Sequence, residues 1–453
     1  MASTSLTRTH GSATTGNIYT WSGWVKRGIV NVQETLANTR TDDNNYSRIR
    51  FDSNNTLMFE DRLSSSTVTN LTSTALFLDL SAWYHVVVRV DYTQATAGDR
   101  ARIYVNGTEV SYSTTTRQSQ NGSSYFNSAN SHFIGTYNSN NYFTGSMTHV
   151  HFCDGQSYAP TVFGETDSTT GIWKPITSPS VTYGNNGYFL KFQDSSNFGD
   201  DSSGNTNDFT LSGTMTQNVD TPSNNFATLN PLYTIEYNSA LSMSSCNTTA
   251  DLNNATWNTI PCTMAVSNGK WYFEGYGHDN SNNYLHYGIT SQAKMNANAT
   301  QAQSEIQANA NGYAEGYYGN NGYRYYSTTS ASTSAAYGAS YTSTDYIGIF
   351  MDLDNNKLYF AKNGTLQNSG TGLDINADGK PYLLATAIYD GKTNVNFGNG
   401  SFGSTKLTGT TYSDANGYGI FKYSPNQGGA ANFDGAAKNF YAMNTKNLKE
   451  FGG

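Results

Sequence analysis

Short alternating runs separated by glycine-bearing turns constrain this chain more than any other feature. Residues 18–25 (IYTWSGWV), 83–91 (WYHVVVRVD), 102–110 (RIYVNGTEV) and 147–152 (MTHVHF) alternate as half-buried strands do. Residues 48–51 and 57–59 flank a turn at Ser53-Asn54-Asn55, and 132–135 and 142–145 continue the series. A second series runs through 267–275 (SNGKWYFEG), 284–289, 316–327 (GYYGNNGYRYYS), 345–360 (DYIGIFMDLDNNKLYF), 382–389 and 393–398. Asn106-Gly107 and Asn363-Gly364 mark tight hairpins, because a type I′ turn needs φ > 0 at both central positions. Only 8 Pro occur against 43 Gly, so the turns are built from Gly and Asn-Gly. Good helix formers are scarce and strand formers are plentiful, which predicts an all-β chain. At roughly 150 residues per domain, 453 residues predict two to four domains.

Charge narrows the function. Lys+Arg number 25 and Asp+Glu 33, a formal net charge of −8, and charged residues are only 13% of the chain. With no basic run, nucleic-acid binding is not expected. An aromatic content of 14% argues against disorder. No apolar run approaches the ~20 residues of a membrane helix, and residues 1–17 lack an apolar signal core, so neither insertion nor secretion is expected. Cys153 lies in an alternating strand and reads as core. Cys246 and Cys262 are either a pair or two lone thiols.

The runs at 83–91 and 102–110, followed by HFIG and YFTGSMTHVHFCDG, resemble a laminin-G-like, concanavalin A-type jelly roll. The matching positions include Trp83, His85, Tyr104, Asn106, Gly107, Ile134, Gly135, Phe143 and Gly145. Residues 188–211 are similar to an edge element of that fold, so the first domain is placed at 1–213. Trp271, Tyr272, Glu274, Gly288, Asp345, Ile347, Gly348, Asp352, Phe360, Asn363, Gly364, Asn396, Phe397 and Gly398 occur in an order that resembles a SPRY-like sandwich over 236–405. Residues 214–235, with Pro222 and Pro231, read as an extended linker. Residues 406–453 form a C-terminal extension, either folded onto the second domain or an arm. Residues 291–310 read as a short helix or a mobile insertion. The expected fold is all-β: two tandem antiparallel β-sandwiches (jelly rolls), concanavalin A/laminin-G-like and then SPRY-like.

The opening residues 5–28, the linker phrase and residues 417–453 resemble tailed-bacteriophage virion proteins of the marine or cyanophage type. That resemblance implies a non-enzymatic structural protein: a fibre, spike or capsid-surface component that binds host-surface glycan or receptor. Its implied partners are other virion proteins and further copies of itself, a trimer among the options. The implied location is the virion surface or tail, after synthesis in the host cytoplasm. One alternative is a decoration or cement subunit binding only virion proteins. Another is a polysaccharide-degrading enzyme.

No nucleophile elbow, HExxH or Walker A pattern occurs, so no catalytic residue is assigned. His149 and His151 would share a strand face, but a third metal ligand is lacking. Asp352 and Asp354 read as turn-stabilising. The Asp/Asn/Ser-rich stretch 194–208 offers hard oxygen ligands, and laminin-G-like relatives imply calcium at the sandwich rim, which makes Asp200 and Asp201 the calcium candidates. No other cofactor is expected. SPRY-like folds imply ligands held by loops at one end of the sandwich. With the tyrosine-rich stretch 313–326, this marks Asp279, Asn283, Tyr284, Tyr317, Tyr318 and Tyr323 as binding candidates, since tyrosine joins an apolar face to a hydrogen-bonding tip.

Overall fold

The computed structural model describes residues 4–168, 171–234, 240–278, 282–297, 306, 312–328, 330–426, 433–435 and 438–452. The chain divides into two compact units, Met1–Gln217 and Asn218–Gly453. Among the described residues no helix is long and apolar enough to cross a membrane.

The first unit has two large antiparallel sheets and a small two-stranded one, Gly164–Thr166 with Trp173–Pro175. The eight-stranded sheet runs, in spatial order, Tyr112–Thr116, Ser66–Leu76, Thr56–Leu63, Asn45–Phe51, Glu34–Asp42, Ser131–Ile134, Ser5–Thr9 and Thr210–Ser212. The six-stranded sheet runs Tyr188–Leu190, Gly145–Asp154, Ile18–Arg27, Tyr84–Asp91, Ala101–Val105 and Thr108–Glu109. Alternate residues meet in the core: Trp21 and Val25 from one sheet, Ile49, Phe51, Leu57 and Phe59 from the other. Of the two segments read over 142–152, residues 145–152 belong to one strand, Gly145–Asp154, and 142–144 precede it. Its register shifts between Thr148 and His151, and His149 takes φ 49°. The bulge does not part the two histidines: His149 and His151 both lie against Phe189, at 5.9 and 3.9 Å, so they share a face as expected. His151 is buried, not a surface residue, and stacks on Phe189 at 3.9 Å.

The second unit is a thirteen-stranded antiparallel system, apart from one short parallel pairing, Trp271–Tyr272 with Tyr441–Ala442. Tyr382–Asn396 pairs with Leu285–Ser291 along its first half and with Lys270–His278 along its second. It changes partner at Asp390 and Gly391, whose φ values are 43° and 155°. The core gathers Trp271, Phe273, Tyr287, Ile289, Tyr317, Tyr341, Ile347, Phe360 and Phe397. Much of the expected linker belongs to this unit: Phe226, Ala227 and Leu229 are each 1% exposed, buried in its clusters. An apolar residue in a linker gains nothing from solvent, and Phe226 packs with Tyr272, Phe350 and Phe421 instead.

The C-terminal extension is folded onto the same unit. Asp414 accepts from the backbone N–H of Asn416, Tyr418 and Ala442 and from Asn447 Nδ2, at 2.8–3.0 Å. The last helix, Thr445–Phe451, is capped by the Asn444 side chain, which accepts from Asn447 N. Residues 292–297 form a short helix, and most of the stretch to 310 lies outside the described residues. No disulfide joins the three cysteines, of which Cys153 and Cys262 are buried.

Candidate functional site

In the second unit the strands Thr249–Val266, Tyr382–Asn396, Leu285–Ser291, Ala314–Tyr318 and Tyr323–Ser327 are neighbours in one sheet. Register puts Trp257 opposite Tyr389, His286 opposite Ala387 and Tyr318, and Gly316 opposite Tyr325. Opposed residues share a face. This face points away from the core, because Tyr287 and Tyr317, one residue along, are core members at 0% exposure.

The result is one connected set of rings. His286 stacks on Tyr318 at 4.4 Å and lies 5.0 Å from Trp257 and 5.2 Å from Tyr325. Trp257 reaches Tyr389 at 5.6 Å and Tyr318 at 5.9 Å, and Tyr284 meets Tyr389 at 5.5 Å. Trp257, Tyr284, Tyr318, Tyr325 and Tyr389 are half-buried, so each ring keeps part of its surface exposed. His286 is fully buried, and among the described residues neither of its ring nitrogens has a hydrogen-bond partner. Burial pushes its pKa down to about 3, so it is a neutral ring at physiological pH. The floor beside it is made of small residues, Gly288, Gly316, Ala385 and Ala387, with Ile306 seated on Gly316.

The sequence candidates divide. Tyr284 and Tyr318 belong to the ring set. Tyr323 is 40% exposed and, two residues before Tyr325, shares its face. Tyr317 does not belong: it is core, packed against Tyr341 and Phe360, with its hydroxyl donating to the Ala339 carbonyl. Strand parity decides this, since neighbours in a strand point to opposite faces. Asn283 takes φ 53° in the turn before Leu285 and accepts from its N–H, which is a structural role. Asp279 lies outside the described residues. Trp257, His286 and Tyr389 were not anticipated. Each comes from a separate strand, and only the sheet order brings them together.

The calcium candidates are not arranged for a cation. Both Asp201 carboxylate oxygens accept hydrogen bonds, from the backbone N–H of Phe189, Ser203 and Asn207 and from the Ser203 hydroxyl, at 2.8–2.9 Å. Donated protons point at the oxygens a cation would need. Asp200 is exposed, at a cavity of about 190 Å³ lined also by Lys191, Asp194 and Asn197. Among the described residues no three His, Cys, Asp or Glu are grouped to hold a metal. Asp352 and Asp354 stabilise turns: Asp352 accepts from Asn355 N at 3.0 Å, and Asp354 accepts from Gly269 N at 2.8 Å.

Residues 2–162 match the family model Laminin_G_3 of the concanavalin A-like lectin/glucanases superfamily, and residues 270–399 match that of the SPRY domain. The chain is a laminin-G-like sandwich followed by a SPRY-like one. No curated protein matches it. It is similar to a human SPRY domain at 14% identity, with 34% of this chain and 94% of that chain covered and a TM-score of 0.26. It is similar to domains LG4-5 of the mouse laminin alpha1 chain at 8% identity, 87% and 85% coverage and a TM-score of 0.29. For carbohydrate-binding module CBM66 from Bacillus subtilis the identity is 7%, the coverage 37% and 91%, and the TM-score 0.25.

Proposed function

We propose that this protein is a non-enzymatic structural component of a bacteriophage particle that binds a neutral host-surface glycan on the aromatic face of its SPRY-like unit. The observation that carries the binding half is the ring set of Trp257, Tyr284, Tyr318, Tyr325 and Tyr389 around the neutral His286. A pyranose presents an apolar C–H face and a hydroxyl rim. Half-exposed rings cover the first, and phenolic tips meet the second. The match of residues 2–162 to a lectin/glucanase superfamily supports glycan as a ligand class for the chain, though it lies in the first unit and not on this face. The particle assignment rests on the resemblance of the opening, the 214–235 stretch and the C-terminal stretch to virion proteins. It implies a homo-oligomer held among other virion proteins at the surface or tail.

A neutral-glycan array with the purified protein tests the binding half. The wild type binds at least one glycan, while Trp257→Ala and Tyr318→Ala lose it at least tenfold and keep their melting temperature within a few degrees. Tyr317→Ala, by contrast, destabilises the core by about 3–5 kcal/mol, as large aromatic truncations do. No glycan bound at millimolar concentration, with tight binding to purified phage particles, would replace this reading with that of a cement subunit. Reducing ends released from host polysaccharide would replace it with that of an enzyme.

A further inference from the structure

Ser332–Ala336 is the outermost strand of the second unit's sheet. It pairs with Tyr323–Ser327 on one side and, among the described residues, with no strand on the other. All five of its residues are exposed. The hairpin that leads into it closes with Thr328 N–H donating to the Ala331 carbonyl at 2.8 Å. Hydrogen-bonded pairs alternate along an antiparallel ladder, so Thr333, opposite Tyr326, and Ala335, opposite Arg324, bond inward. Ser332, Ser334 and Ala336 therefore aim their backbone N–H and C=O out of the sheet.

Such a row is a template for another strand, and sheets ordinarily guard it with charge, proline, a bulge or brevity. This edge has none of these. From Tyr325 to Thr344 the sequence runs twenty residues without a charged side chain or a proline. The register with Tyr323–Ser327 is unbroken over all five pairs. Other strands at the ends of the sheets are guarded. Tyr112–Thr116 carries a register shift after Tyr112 and lies between Glu109 and Arg117 in the sequence. Thr210–Ser212 is three residues long, and Thr365–Leu366 only two.

We infer that Ser332–Ala336 pairs antiparallel with the same strand of a second copy of this chain, about a two-fold axis through Ser334. In that register Ser334 meets its own counterpart, Thr333 meets Ala335 and Ser332 meets Ala336. No bulky or like-charged side chains are opposed. Each outward-bonding residue lies opposite another, so every free N–H and C=O along the edge gains a partner. A foreign peptide fits less well. Strand addition takes its specificity from pockets for alternate side chains, whereas this margin is small, uncharged and exposed throughout. The pairing also has a consequence for the aromatic face. Gly316 lies opposite Tyr325, and Tyr325 opposite Ser334, so that row runs to the axis and on into the second copy. Two ring sets then share one continuous surface. The inference does not depend on what that surface binds.

Sedimentation velocity of the full chain at micromolar concentration tests it. The wild type sediments as a dimer. Ser334→Lys sets two like charges against each other at the axis and halves the mass. Its circular-dichroism spectrum stays that of the wild type, because Ser334 is exposed within one copy. Air oxidation cross-links Ser334→Cys to itself. Directly opposed, hydrogen-bonded antiparallel residues have Cα atoms about 5.5 Å apart, within the roughly 4.4–6.8 Å that a disulfide spans. Thr333→Cys, which meets Ala335 and points to the other face, does not cross-link. Trp257→Ala leaves the mass unchanged, which keeps this result distinct from the neutral-glycan test. A monomeric or trimeric wild type, a Ser334→Lys variant that stays dimeric, or a Thr333→Cys variant that cross-links as fast as Ser334→Cys overturns the inference.

Discussion

His10 lies face to face with His132, ring centroids 3.4 Å apart, and both of its nitrogens are buried without a partner among the described residues. Burial, reinforced by His132 and Arg8, pushes its pKa well below the ordinary value, and burial takes His132 down to about 3. The unfolded chain therefore takes up protons first as pH falls below about 6.5, and each such histidine makes the fold less stable on acidification. Asp61, raised by burial to about 6, and Glu34 and Glu274, raised to about 7, act in the opposite sense. They hold a proton more tightly when folded, so their contribution weakens as pH rises from about 4 to 7. The two slopes overlap near pH 5–6 and mask each other in the wild type. A variant isolates one of them. His10→Phe keeps the stack and removes the titration, so its stability advantage over wild type grows by about 2 kcal/mol between pH 6.5 and 5. Urea unfolding at the two pH values measures this, and a constant gap would refute it.

Among the elements, the hairpin at Asn106-Gly107 does more than reverse the chain. Both residues have positive φ, 49° and 83°, as the turn type requires. A Cβ on Gly107 would also meet the Trp173 ring at 3.0 Å. That indole donates from Nε1 to His85 Nδ1 at 3.0 Å, while His85 Nε2 pairs with the Ser22 hydroxyl at 2.8 Å. The turn thus seats a side chain that closes over a buried histidine. Gly107→Ala combines backbone strain with crowding and costs about 1–2 kcal/mol. Gly98, in the short helix Ala97–Arg100, has open space around its Cβ position, so Gly98→Ala is neutral or slightly stabilising. Urea midpoints of the two variants should move apart; equal midpoints would sink the argument.

For the whole molecule, the two units have separate cores, and each fragment, 4–217 and 218–452, is expected to unfold cooperatively on its own. The second depends on its C-terminal stretch. The buried Glu274 accepts from Tyr272 Oη, Asn396 Nδ2, Lys422 N and Tyr423 N at 2.7–3.0 Å. Phe421, Phe433 and Phe440 cover Tyr272, Phe350 and Tyr359. Removing residues 412–453 strips two of the four donors and uncovers those rings, so the second unit loses its cooperative transition while the first keeps its own. Calorimetry of the shortened chain checks this, and survival of both transitions would refute it.

Alternation and Asn-Gly turns by themselves determined that the chain is all-β and where its hairpins fall, because a period of two and a positive-φ turn are local properties; the two sandwiches followed from the resemblance of those runs to laminin-G-like and SPRY-like domains. The tyrosine-rich stretch and the SPRY-like resemblance drew attention to Tyr284, Tyr318 and Tyr323. Tertiary structure decided the rest. Strand parity relative to the core sent Tyr317 inward and Tyr318 outward. Sheet order joined Trp257, His286 and Tyr389, from positions up to 132 residues apart in the chain, to the tyrosines. Burial turned an apparent linker and a C-terminal extension into parts of the second unit.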